Sequence, residues 1–313
     1  RMALLAEYDA LRGLGHACGH CASGSSSVLA ALALNEVRDQ LDFGVDIIGT
    51  PDEEINGTKC LMADKGVFDG YDFAAMVHMG PFSTATSEFI ALDGLGFKWH
   101  GQPAHAAAAP EKGRNALNAA RLFLDATDMM RQHVIEEARM HGFIKNGGEA
   151  SNIVPEFAEV EFLTRAPRRE DLNDITAWVK DCARAAALAT RTEVEMFPVG
   201  EPFHELYISK LGEKLMRESY DELGIPCANQ SGMKGSSDIG NVDYRCPAFH
   251  PMMGIGIEEN CHTQEFADAM TTQGAHDAIK NSASLLLCMT AKMYGNPQLL
   301  QQIKADHKAY RGY

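Results

Sequence analysis

Met2-Ala3-Leu4-Leu5-Ala6 is a short apolar run that turns acidic at Glu7-Tyr8-Asp9, and a Gly-rich segment then leads into Gly15-His16-Ala17-Cys18-Gly19-His20-Cys21. The apolar run reads as a buried strand. Beyond the Gly-rich turn, Ser25 to Leu34 is rich in Ala and Leu, a helix whose early serines are expected to cap its free amides. Further out, Val45-Asp46-Ile47-Ile48-Gly49-Thr50 is a short β-branched strand stopping at Pro51. Gly57 to Lys65 reads as a helix, and Phe73-Ala74-Ala75-Met76-Val77 as another buried strand ending at His78. Strands alternating with helices predict an α/β sheet with right-handed crossovers. Sites in such sheets gather beyond the carboxyl ends of the strands. Glu53-Glu54, His78 and the Cys/His cluster fall at those ends or in loops.

The pattern changes at about Phe89. An alternating apolar stretch reaches Trp99, a long helix is expected from about Asn115 to Val134, and strands near Gly142–Lys145 and Ile153–Thr164. A helix from about Arg169 to Thr190 and a strand at Thr192–Phe197 follow. This β-α-β-β-α-β order predicts a split βαβ, ferredoxin-like domain over residues 91–204. Residues 1–90 and 205–313 are then the larger α/β domain into which it is inserted. Because the chain starts inside a core element, further N-terminal elements are expected before Arg1.

The 313 residues are 45% apolar and 23% charged, ordinary values for a folded globular protein. Lys and Arg number 28 against 43 Asp and Glu, a formal charge of −15. That argues against a nucleic-acid partner, which requires a basic face. No uninterrupted apolar run approaches the roughly 18 residues of a membrane span, so no membrane partner is expected. Eight cysteines are too sparse for a disulfide scaffold and fit a reducing compartment. A cytoplasmic protein is the expectation.

Cys18, His20, Glu54, His78 and His262 together offer a thiolate, imidazoles and a carboxylate, the set that ions such as zinc prefer. Five ligands exceed what one tetrahedral ion uses. Two divalent ions sharing the Cys18 sulfur take all five and leave positions open for water. Glu53, beside a ligand and free of that duty, is placed to accept a proton as general base. Each residue alone has a plainer reading, as a solvated helix start, a hydrogen-bonded core histidine or a loop histidine; the set points to metal. A different class of function also fits the first cluster, because Cys18-Gly19-His20-Cys21 reproduces the two-cysteine sequence of thiol-disulfide oxidoreductases. That alternative leaves Glu53-Glu54, His78 and His262 without a role.

The segments Ala6-Glu7-Tyr8-Asp9-Ala10-Leu11 and Gly15-His16-Ala17-Cys18-Gly19-His20 resemble the metal-binding start of the dinuclear amidohydrolases related to aminoacylase. The branch with auxin-conjugate amidohydrolases and aminobenzoyl-glutamate hydrolase is the most similar. The resemblance continues through Gly49-Thr50-Pro51-Asp52-Glu53-Glu54, Val77-His78-Met79-Gly80-Pro81, Gly101-Gln102-Pro103-Ala104-His105-Ala106, Asn152-Ile153-Val154-Pro155, Arg165-Ala166-Pro167, Ser236-Ser237-Asp238-Ile239-Gly240-Asn241-Val242 and His262-Thr263. It implies a mixed-sheet, zinc-peptidase-like catalytic domain holding two divalent ions, zinc foremost and manganese as the alternative. Cys18, His20, Glu54, His78 and His262 are the implied ligands and Glu53 the base. His105 would reach the partner subunit's site to stabilise the oxyanion, while Asn152 and Arg165 hold the substrate carboxylate. The small domain would serve as lid and homodimer interface. The implied activity is hydrolysis of the amide bond of N-acyl or aminoacyl amino acids, including aminobenzoyl-glutamate-like conjugates and small dipeptides. Arg12 and Cys21 stand where relatives carry Pro and Asp or Asn; Cys21 could oxidise with Cys18. With the N-terminal elements expected before Arg1, these departures motivate a third reading, a catalytically silent binding module.

Overall fold

The structure is a computed structural model and describes residues 1–229 and 234–312. The chain divides into two compact units, Arg1–Ile90 with Phe203–Tyr313, and Ala91–Pro202.

The first unit opens with β1 (Met2–Glu7), α1 (His20–Glu36), β2 (Val45–Thr50), α2 (Thr58–Asp64), β3 (Phe73–Ala75), β4 (His78–Gly80) and β5 (Glu88–Phe89). The second holds β6 (Ala91–His100), α3 (Ala116–Met130), β7 (Arg139–Asn146), β8 (Phe157–Ala166), α4 (Arg169–Thr190) and β9 (Glu193–Pro198). The first unit resumes with α5 (Lys210–Glu222), β10 (Lys234–Gly235), α6 (Ile239–Asp243), β11 (Ala248–Phe249), β12 (Met252–Gly254), α7 (Gln264–Ala269), α8 (Gln273–Gly295) and α9 (Pro297–Arg311).

In the first unit the main sheet runs β11-β3-β1-β2, all parallel. An antiparallel bridge between Thr84 and Met252 makes the pairing mixed. Every residue of β1 is buried, as a strand covered on both faces requires. Met2 and Leu4 join one apolar cluster with α1 and α8, while Ala3 and Leu5 join another that includes Phe68, Ile239 and Val242. The sheet is thereby sandwiched, and its polar groups are left at the strand ends.

The second unit has the antiparallel order β7-β8-β6-β9. Alternate residues of β8 are buried along its whole length, so one face of this sheet packs on α3 and α4 around Phe97, Trp99, Phe123 and Phe162. Strand β7 forms an edge and exposes Phe143 and Ile144. Among the described residues, no helix is long and apolar enough to cross a membrane.

Three local expectations are revised. Helix α1 begins at His20, and its N-cap is Gly19 in the left-handed region (φ 76°), not a serine. A Cβ on Gly19 would come within 2.7 Å of Met79 Cβ, so the tight approach excludes any side chain. The serines lie within the helix instead, where Ser27 Oγ donates to the Leu5 carbonyl at 2.6 Å. His78 opens β4 rather than merely following β3. The strand expected from Ile153 begins at Phe157, and Ile153 makes a single bridge to His105.

Candidate metal centre

Strand ends deliver most of the polar groups. Glu7 closes β1, Glu53 and Glu54 lie on the loop after β2, and His78 begins β4 just beyond β3. Cys18 and His20 flank Gly19 at the start of α1, and His262 lies on the loop before α7. The backbone N–H of His262 donates to the Ala17 carbonyl at 2.9 Å, which ties that loop to the turn carrying Cys18. His262 (φ 73°) and Asp52 (φ 59°) both occupy the left-handed region that non-glycine residues seldom adopt. Such strain persists where surrounding contacts over-determine the backbone.

Among the described residues, three groups of potential ligand atoms form, each within 4.8 Å: Glu7, His20 and His78; Cys18, Glu54 and His262; and His20, Glu53 and Glu54. All five sequence-predicted ligands and the predicted base thus converge on linked clusters. His20 and Glu54 are the sequence-predicted ligands that belong to two groups each, whereas the shared position was expected of Cys18. Glu54 Oε1 lies 3.8 Å from His20 Nε2 and 3.5 Å from His262 Nε2. On the other side, His20 Nε2 is 3.4 Å from Glu7 Oε2.

These donors fit a bound cation. His20 Nδ1 is hydrogen-bonded to Asp9 Oδ1 at 2.9 Å and His78 Nδ1 to the Met79 carbonyl at 2.7 Å. In each neutral ring the Nδ1 proton is therefore engaged and the Nε2 lone pair is free, the usual orientation of a metal-ligating imidazole. His20 Nε2 and Glu7 Oε2 are both buried without a hydrogen-bond partner. Two orphaned acceptors facing each other in the interior are costly unless a proton or a cation lies with them.

Electrostatics carry the same signature. Burial lowers the His20 imidazole, but Asp9 and Glu7 outweigh it and raise it to about 9. Burial would raise the Glu7 carboxyl; Lys59 and His20 prevail and hold it at about 2. Glu53 is pushed up to about 8 by burial, then by Asp238 and Glu7. The Cys18 thiol is raised by burial and by Glu54, the reverse of the low-pKa thiol that disulfide exchange needs. Cys18 and Cys21 are not joined in a disulfide.

The other predicted residues belong to the second unit. His105 is exposed, and its Nδ1 accepts from the N–H groups of Ala107 at 3.3 Å and Ala108 at 3.1 Å, which leaves the neutral ring's proton on Nε2. Asn152 is exposed, and its backbone carbonyl accepts from the Ala106 N–H at 2.9 Å, joining its turn to the one bearing His105. Arg165 is half-buried on β8, in register with Leu92 and Arg139.

Sequence reasoning assigned no role to Glu7, Asp9, Lys59 or Asp238. Asp9 grips two parts of the centre at once, His20 Nδ1 through one oxygen and the Glu54 backbone N–H, at 3.2 Å, through the other. The acidic ending of β1 was the signal available for Glu7 and Asp9.

The model of peptidase family M20/M25/M40 matches residues 5–286. The mouse (Mus musculus) Xaa-Arg dipeptidase is 33% identical, over 98% of this chain and 73% of that protein. A p-aminobenzoyl-glutamate hydrolase component from Escherichia coli (strain K12) is 28% identical, over 98% of this chain and 80% of that one. Among solved structures, an aminobenzoyl-glutamate utilization protein from Klebsiella pneumoniae superposes with a TM-score of 0.70 at 21% identity, covering 91% of this chain and 70% of that one. A dinuclear metal-binding M20 peptidase from Bacillus subtilis gives 0.65 at 19% identity, covering 91% and 81%. The chain belongs to peptidase family M20/M25/M40 and is a metal-dependent hydrolase.

Proposed function

We propose that this protein hydrolyses the amide bond of a small N-acyl or aminoacyl amino acid, such as an aminobenzoyl-glutamate-like conjugate or a dipeptide. The observation that carries the reading is the pair of buried, unpartnered acceptors at His20 and Glu7, set among Cys18, Glu54, His78 and His262. Cys18, Glu54 and His262 would hold one divalent ion and His20 with His78 the other, zinc or manganese. Bound there, the ions polarise the scissile carbonyl and acidify water.

The chain's own residues supply the rest. Glu53 is in reach of the cluster, and with Glu54 serving as ligand it is free to take the proton from water and return it to the leaving nitrogen. His105, with its proton on Nε2, is a preformed hydrogen-bond donor suited to a developing oxyanion. Asn152 and the Arg165 guanidinium suit a substrate carboxylate. The edge strand β7, with Phe143 and Ile144 exposed, supports a homodimer built on the second unit, since an unpaired apolar edge invites a second strand. Such a dimer would let His105 serve the partner's site and the unit act as a lid. Free thiols at Cys18, Cys21 and Cys261 are consistent with a cytoplasmic location.

A panel of N-acyl amino acids and dipeptides, including p-aminobenzoyl-glutamate and a dipeptide ending in arginine, tests the reading on zinc- or manganese-loaded protein. Turnover abolished by a chelator and restored by the ion is expected. Metal-loaded protein that cleaves none of these compounds would overturn it.

A further inference from the structure

Beneath the candidate centre lies a fully buried charge cluster to which none of the roles above extends. Lys59 Nζ is 2.6 Å from Glu7 Oε1 and 2.7 Å from Asp238 Oδ1, with all three side chains at most 1% exposed. Asp238 also takes the Lys59 backbone N–H on its second oxygen, at 3.0 Å. One carboxylate therefore grips both the side chain and the first turn of α2. The three residues come from the last position of β1, the start of α2 and the residue before α6.

The cluster meets the centre in two places. Lys59 takes one oxygen of Glu7, and the other is the orphaned Oε2 that faces His20 Nε2. The loop carrying Glu53 and Glu54 is bracketed between two carboxylate grips, Asp9 on the Glu54 N–H and Asp238 on the Lys59 N–H. Between those grips, Gly57 turns into α2 with φ 64°, and a Cβ there would strike the Phe203 ring at 2.4 Å. Packing alone does not call for such a cluster: a buried cation between two carboxylates loses much solvation, and well-packed apolar groups of the same volume often stabilise a core as well or better.

We propose that Lys59 and Asp238 are positioning residues of the hydrolytic site, holding the Glu7 carboxylate against His20 and the Glu53-Glu54 loop over the ligand cluster. This rests on the hydrolase reading for its effect on turnover, but not for its effect on metal binding. The clamp acts at a distance from substrate, through Glu7 on the His20 side and through the start of α2 on the Glu53 side.

The test uses the full chain with Asp238→Asn, Lys59→Met and the two combined. Asn is isosteric and still accepts the Lys59 N–H, and the double substitution removes one charge of each sign. Zinc alone is titrated into chelator-stripped protein against a chromophoric competitor. Metal-loaded protein is then assayed on the same acyl-amino-acid and dipeptide panel, with thermal unfolding as the control for folding. Zinc affinity about 10- to 100-fold weaker is expected for Asp238→Asn and for the double variant, the usual cost of losing a group that orients ligands. At saturating metal, kcat should fall by about as much while KM stays within about twofold. Should Lys59→Met fail to fold, the isosteric Asp238→Asn decides. Zinc affinity and kcat both at wild-type level in folded Asp238→Asn would reduce the cluster to a structural role and overturn the proposal, leaving the hydrolase reading intact. Weakened zinc binding in a chain whose wild type cleaves nothing would uphold the clamp and sink the hydrolase reading.

Discussion

Among the described residues, the first unit buries a cation between two carboxylates twice. Lys59 lies between Glu7 and Asp238, and Arg311, at the end of α9, between Glu205 and Asp243. Both clusters are almost wholly shielded from water. They differ in how their oxygens are used. Around Arg311, Glu205 Oε1 receives Arg311 Nη1 at 2.7 Å and Tyr310 Oη at 3.2 Å, while Asp243 receives the N–H groups of Tyr207 and Ala248 at 3.1 Å as well as Arg311. Both carboxylates are engaged, and their partners tie the C-terminal helix to the chain around α6. Around Lys59, Glu7 keeps one oxygen without a partner and presents it to His20. A buried network whose carboxylates are engaged serves stability, even with one donor, Arg311 Nε, left without a hydrogen-bond partner; one that keeps an unpartnered carboxylate lone pair against an imidazole gives up stability for a preorganised position.

Substitutions should therefore separate into two kinds. Glu53→Gln preserves shape and removes the proposed base, so kcat should drop by about 10²–10⁴-fold. Metal content and melting temperature should stay unchanged. Retention of a tenth or more of the activity would take Glu53 out of proton transfer. On the other cluster, Arg311→Met leaves Glu205 and Asp243 buried without their cation and should cost about 3–5 kcal/mol of stability. Urea unfolding measures that loss, and kcat of the folded fraction should match wild type. A parallel fall in kcat would mean that the two clusters are not independent.

The contrast also accounts for what could be read from sequence. The α/β alternation was legible because β1, β2 and β3 lie in short apolar runs followed by polar residues, and the proposed ligands stood out because a carboxylate and an imidazole follow β2 and β3 while the thiol and the other imidazoles stand in a Gly-rich turn and a loop. Helix α4, expected from about Arg169 to Thr190, forms over Arg169–Thr190 and buries Leu172, Ile175, Thr176 and Val179. Lys59 was not. A lysine in the first turn of a helix reads as solvent-exposed, and its burial depends on Asp238, 179 positions away. Asp238 stands in the Ser236–Val242 motif, where no local pattern disclosed its chemistry. The N-cap of α1 was misread for a related reason: serines are good caps, yet the close approach of Met79 admits only Gly19. Residues whose role is set by a tertiary neighbour leave no periodic trace in the chain.

Two smaller effects sharpen the comparison. Asp9→Ala removes the grip on both His20 Nδ1 and the Glu54 N–H, and should weaken zinc binding or turnover by about 10- to 100-fold. An unaltered zinc affinity would show that the His20 ring is held without it. Asn296→Ala acts at the far end of the helix that carries Arg311. Its side chain accepts the Leu299 N–H at 3.2 Å, and with Pro297 in the first turn it starts α9. Loss of that cap should cost about 1 kcal/mol, less than the loss of Arg311 because only one amide is left to water. If α9 serves the fold alone, this variant should lower the urea midpoint slightly and leave kcat, KM and zinc affinity as in wild type. A change in zinc affinity would link the C-terminal helix to the metal centre and dissolve the division between a stabilising clamp and a positioning one.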